Sequence, residues 1–96
     1  KFIAEILIEC PTYVVTVEGH TDSSGNEESN ILLSQMRAES VQKHLQIQGI
    51  DASRIMSYGF GSSIPVASNE TQQGRNLNRR IEITLAGGDL IAPGGA

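Results

Sequence analysis

No stretch of this 96-residue sequence approaches the roughly 20 consecutive apolar residues with which a helix crosses a bilayer, so a helical membrane span is excluded. Basic charge is scarce as well. Seven Lys and Arg stand against 11 Asp and Glu, for a formal net charge of −4 and a pI near 5.0. Nucleic-acid binders present a basic face to phosphates, and this balance argues against that class of partner. An anionic ligand has to be held by a local arginine, against the overall field. The single Cys10 has no partner for an internal disulfide, and its place on an apolar helical stripe reads as a packed, inert thiol. No signal-peptide pattern is present, and the chain opens in mid-pattern at Lys1, as a fragment of a longer protein does.

Hydrophobic residues make up 39% of the chain, enough for an ordinary globular domain. One domain of this size buries roughly 60 to 65% of the surface its unfolded chain exposes, so the core is small. In KFIAEILIEC, Phe2, Ile3, Ile6, Leu7 and Cys10 recur at helical spacing, and Pro11 ends the helix. TYVVTVE reads as a buried strand over 12–18, and EGHTDSSG as the loop at its carboxyl end. Asn26 is an N-cap, Glu27 and Glu28 suit the positive end of the helix dipole, and Gly49 closes a helix that runs to about Gln48. SRIMSYGFG predicts a second strand over 53–60, ASNETQQGRNLN has room for one helical turn, and RRIEITL alternates as a last strand with Ile81, Ile83 and Leu85 toward the core. Residues 1–86 form the domain, and the Gly- and Pro-rich 87–96 read as a flexible tail. The order predicts an α+β sandwich: a parallel strand pair crossed by the long helix, a returning antiparallel strand, and helices packed on the sheet.

The polar stretch EGHTDSSGN carries more chemistry than a turn requires. On the long helix Asn30, Leu33, Arg37, Val41 and Leu45 fall on one face, which places Arg37 on the extension of the core stripe, where a charge needs a partner. The loop is long enough to return Asp22 beside it. Two readings stay open on spacing alone. Asp22 and Arg37 form a salt bridge that ties loop to helix, or they stand apart to hold a zwitterion by its ammonium and its carboxylate. His20, Asp22, Ser23 and Ser24 are the types found in hydrolase triads, yet four neighbours on one loop cannot aim at one another. His20 and Asp22 lack further metal ligands nearby in sequence, and His44 reads as a helix-surface histidine, so no metal site is expected. Gly59 and Gly61 do not open a helix, so no dinucleotide fingerprint is present and no cofactor is expected. Arg75, Arg79 and Arg80 form a basic cluster suited to structural ion pairs or to an acidic ligand, and Asn76 and Asn78 to local backbone bonds.

VEGHTDSSGN, NILLSQMRAESVQKHLQIQGI, SRIMSYGFGSSIPVASN and GRNLNRRIEITL, in that order and at these separations, resemble the OmpA-like peptidoglycan-binding domain over about residues 2–86. The resemblance implies a βαβαββ-type mixed sheet, whose first strand lies ahead of the first helix; this chain begins at the helix, which leaves an open sheet edge that a second copy is able to fill. It implies no enzyme. It implies a domain that grips the diaminopimelate of the peptidoglycan stem peptide without covalent attachment, anchoring a larger envelope protein to the wall in the periplasm. Attachment to the outer membrane then falls to another part of that protein. On the family pattern Asp22 receives the diaminopimelate ammonium and Arg37 its carboxylate, Thr21, Asn30 and Leu33 line the same pocket, and Arg80 matches the second arginine of the NRR motif. The alternative is a protein-interaction or oligomerisation domain in which the Asp22–Arg37 pair is a structural salt bridge.

Overall fold

The apolar amino-terminal stripe forms α1, Phe2–Glu9, of which Ala4 and Leu7 are buried while Phe2 stays exposed. The computed structural model describes residues 2–87. After the turn at Pro11 follow β1, Tyr13–His20; α2, Glu27–Ile47; a 3₁₀ turn, Ala52–Arg54; β2, Ile55–Gly59; α3, Gln72–Asn78; and β3, Arg80–Gly87. This is the expected α+β arrangement. β1 is longer than expected at its carboxyl end, taking Gly19 and His20 out of the loop, and β3 continues through Gly87. Residues 88–96 of the expected tail lie outside the described residues.

The strand order is β2-β1-β3. β1 and β2 run parallel with Val17 opposite Ser57, and β1 and β3 run antiparallel with Val17 opposite Ile83. The parallel pair needs a crossover, and α2 supplies it. Strand alternation puts Val15, Val17 and Gly19 on one face with Ile83, Leu85 and Ile81, and this face meets α1 and α2. Ala4, Leu7, Val15, Val17, Ala38, Leu45, Ile50 and Ile55 are the buried core. Ile83, at the β3 side, is only partly covered.

Local signals set the ends of α2. The Asn26 side chain accepts a hydrogen bond from the Ser29 amide at 3.0 Å, and Glu27 and Glu28 occupy the first turn. Gly49 follows with φ 103°, a conformation other residues rarely adopt. The short α1 is held by a different device. From the 3₁₀ turn, Arg54 donates through Nη2 to the carbonyls of Leu7 and Cys10, at 2.8 and 2.9 Å, and through Nε to Tyr13 O at 2.9 Å. A guanidinium thus satisfies the orphan carbonyls at the carboxyl end of a helix, where positive charge is favoured.

The helix α2 lies unusually close to the sheet. A Cβ on Gly19 would stand 2.2 Å from the Ser34 carbonyl oxygen, and one on Gly59 2.3 Å from the Gln35 nitrogen. Here helix backbone rests on strand backbone without an intervening layer of side chains. The residues that α2 turns to this seam are accordingly small, the buried Ser34 and Ala38, and the Ser34 hydroxyl accepts a bond from the Gly61 amide at 2.9 Å. Deeper along the helix Leu45 fills the core.

Candidate functional site

The carboxyl end of β1 is the point at which the chain leaves the sheet between α2 and α3. Thr21 and Asp22, the first two residues beyond the strand, are both buried. The Thr21 amide donates to Gly61 O at 2.8 Å, and its hydroxyl donates to the Asp22 carbonyl at 2.8 Å. These bonds fix the direction in which the Asp22 side chain leaves. One carboxylate oxygen, Oδ1, accepts from the Ser24 amide at 2.8 Å, and the other, Oδ2, from Arg79 Nε at 2.5 Å. Asn30, on the first turn of α2, closes the loop by donating its amide to Ser24 O at 2.9 Å.

Together Thr21, Asp22, Ser24, Asn30, Leu33, Arg37 and Arg79 line a cleft of about 230 Å³. It is smaller than the roughly 300 Å³ at which drug-sized ligand pockets begin, and so suits a small polar head group. Asp22 is 4% exposed at its base, and Arg37 is exposed on its helical wall. The Ser24 amide bond, more than the Arg79 guanidinium, holds the Asp22 carboxyl below its ordinary range in spite of burial. One carboxylate and two guanidiniums make this cleft locally positive in a chain of net charge −4.

Of the residues singled out from sequence, Asp22, Arg37, Thr21, Asn30 and Leu33 meet here. Two geometric expectations are corrected. Arg37 is exposed, not on the buried stripe, because the close seam rotates Ser34 and Ala38 toward the sheet and leaves Leu33 and Arg37 on the helix edge that overhangs the cleft. The salt bridge of Asp22 is made with Arg79, not with Arg37, because α3 ends beside the loop and delivers Arg79 to it. Arg79 had appeared in sequence only as one member of a basic cluster; the signal that distinguishes it is its position just after α3, one residue before strand alternation begins. Arg80 does not line the cleft. It bonds Glu82 Oε2 at 2.6 Å, Ile64 O at 2.9 Å and Asn78 O at 3.3 Å. Asn78 is fully buried and ties the 66–69 loop to α3, bonding the backbone of Val66 and Ala67 and the side chain of Asn69. Its bonds reach across 11 and 12 residues rather than staying local. His20 stacks on Phe60, lies beside Glu18 and opposite Arg80, and makes no hydrogen bond to Asp22 or the serines.

Fold and cleft define a class: two-layer α+β domains with a small charged cleft where the central strand feeds the crossover helix. The sequence pattern of the OmpA family matches residues 1–79, and the chain belongs to that family. It is 50% identical over 84 residues to the probable lipoprotein YiaD of Escherichia coli, covering 88% of this chain and 38% of YiaD. It is 43% identical over 83 residues to the peptidoglycan-binding protein ArfA of Mycobacterium tuberculosis, covering 86% of this chain and 26% of ArfA. The chain therefore spans well under half the length of these relatives. Among solved structures, the peptidoglycan-associated lipoprotein of Burkholderia pseudomallei superposes with a TM-score of 0.84 at 28% identity, covering 88% of this chain and 72% of that one.

Proposed function

We propose that this domain is a non-enzymatic module that binds peptidoglycan through the diaminopimelate of its stem peptide and anchors a larger envelope protein in the periplasm, attached to the outer membrane through another part of that protein. The observation that carries the reading is the opposition, in one small cleft, of a buried carboxylate and an exposed guanidinium that are not paired with each other. Membership of the OmpA family and similarity to a protein named for peptidoglycan binding support it.

Asp22 is engaged by Ser24 and Arg79 through one bond to each oxygen, and a carboxylate has about four lone-pair sites, so room remains for an ammonium. Arg37 presents its fork to the carboxylate of the same zwitterionic centre. Leu33 supplies the apolar wall and Asn30 holds the loop. A stem that carries lysine in place of diaminopimelate still offers an ammonium to Asp22 but leaves Arg37 without its charge-assisted bonds. Such bonds contribute about 1.5–3 kcal/mol, or roughly 10- to 100-fold in affinity, and this difference is the source of selectivity.

Co-sedimentation with purified diaminopimelate-type sacculi tests the proposal. The wild-type chain is expected in the pellet, and Asp22→Ala and Arg37→Ala in the supernatant. Retention of both variants at wild-type level would reject the site. Failure of the wild type to sediment would instead favour a protein-interaction domain, and release of soluble wall fragments an enzyme.

A further inference from the structure

The face of the sheet turned away from α1 and α2 holds a second constellation. Strand alternation places Glu18 and His20 of β1 on this face with Arg80 and Glu82 of β3. Two features of the group are energetically unfavourable as they stand. Glu18 and Glu82 are direct cross-strand neighbours, and like charges opposed across an antiparallel pair destabilise it. His20 is 1% exposed, and neither of its ring nitrogens has a hydrogen-bond partner among the described residues. Its Nε2 lies 3.8 Å from Glu18 Oε1, beyond hydrogen-bond reach, while Phe60 stacks on the ring at 5.6 Å between centroids and an interplanar angle of 17°. A buried polar group left without a partner is rare and calls for an explanation.

From this geometry we infer that Glu18, His20 and Glu82 form a binding site for a divalent transition-metal cation of the zinc class. One nitrogen or oxygen atom from each of the three lies within 4.8 Å of the others. Drawing them to the 2.0–2.2 Å usual for zinc requires each to move by less than roughly 1 Å. One imidazole and two carboxylates are ligands that borderline cations accept, and a water completes a tetrahedron. A cation here would bond the unpartnered imidazole and cancel the Glu18–Glu82 repulsion together. Burial, followed by the nearby Arg80 guanidinium, depresses the His20 pKa, which keeps the ring in its neutral, ligating form near pH 7. Glu82 is half exposed and gives the cation its entrance. Arg80, held on Glu82 Oε2, stays as a partner of the ligating carboxylate and also opposes the cation's charge, so the site is expected to bind at micromolar rather than nanomolar strength.

Zinc chloride titrated into the full chain at pH 7, followed by calorimetry and by the side-chain nitrogen resonances of both histidines, tests the inference. One equivalent is expected to bind and to shift the His20 resonances. Glu82→Gln, at an exposed position where folding is retained, is expected to weaken binding at least about tenfold, whereas His44→Gln leaves it unchanged. His20→Gln should abolish binding; should that buried substitution unfold the chain, the Glu82 variant decides. The absence of heat and of resonance shifts at millimolar zinc overturns the assignment. So does binding that survives Glu82→Gln or disappears with His44→Gln.

Discussion

Asp22 illustrates how a single side chain is prepared by its neighbours. Its folded pKa is lowered, first by the Ser24 amide and then by Arg79. A carboxyl with a depressed folded pKa contributes stability that is present above its unfolded value, near 3.9, and is lost as pH falls through the folded value. The carboxylate is therefore charged throughout the mildly acidic range. Retention on sacculi is expected to be flat from pH 7 to about pH 4.5, and a midpoint near 6 would contradict this account of the site. Carboxyl carbon resonances give a second check. Arg79→Gln should raise the Asp22 pKa only part of the way to its ordinary value, because the larger cause, the Ser24 amide, is untouched.

Between elements, the decisive contacts are the two glycine positions beneath α2. Gly19→Ala sets a methyl group against the Ser34 carbonyl, which is backbone and cannot rotate away, so the helix has to shift. Overpacking of this kind costs about 3 kcal/mol or more, and urea unfolding should show it as a lowered midpoint with little change of slope. Arg54→Met keeps much of the aliphatic stem and removes three bonds to carbonyls of α1 and the following residues, for an expected loss of about 2 kcal/mol by the same measurement. This is also the scale at which the sequence was most and least legible. The period of α2, its Asn26 cap and the alternation of β3 gave elements of the right type and order, since these signals are local. The rotation of α2 was not legible. Period counting assigns the buried face to the largest apolar side chains, and at the seam the buried residues are Ser34 and Ala38, selected by how closely two backbones approach. The same cause hid the exposure of Arg37. The Asp22–Arg79 pair was hidden differently, because it joins residues 57 apart through the placement of α3.

For the whole molecule, size and charge set how the proposed attachment would operate. On the proposed function, a cleft of about 230 Å³ that holds its ligand by a few charge-assisted bonds offers little buried area, so a single soluble stem peptide is expected to bind weakly and to be released by salt. Many copies facing a polymeric wall act differently. Fusing two copies through a flexible linker is expected to raise retention on sacculi by at least about a hundredfold over one copy, without change in affinity for the isolated stem peptide. Sedimentation of the one-copy and two-copy proteins at equal site concentration makes the comparison. The −4 net charge adds a general repulsion from acidic polymers, which the arginines of the cleft overcome only locally.

The seam beneath α2 also acts as a gauge. Asp22 stands three residues beyond Gly19 on the strand side, and Arg37 stands three residues beyond Ser34 on the helix side, so both charges are measured from the same backbone contact. Where side chains separate a helix from a sheet, their rotamers let the two layers drift by fractions of an ångström. Here no such cushion exists between the two reference points. The positions of the Asp22 loop and of the helix backbone that carries Arg37 are thereby set against each other before a ligand arrives, and of the two charges only the exposed Arg37 side chain is left to order on binding.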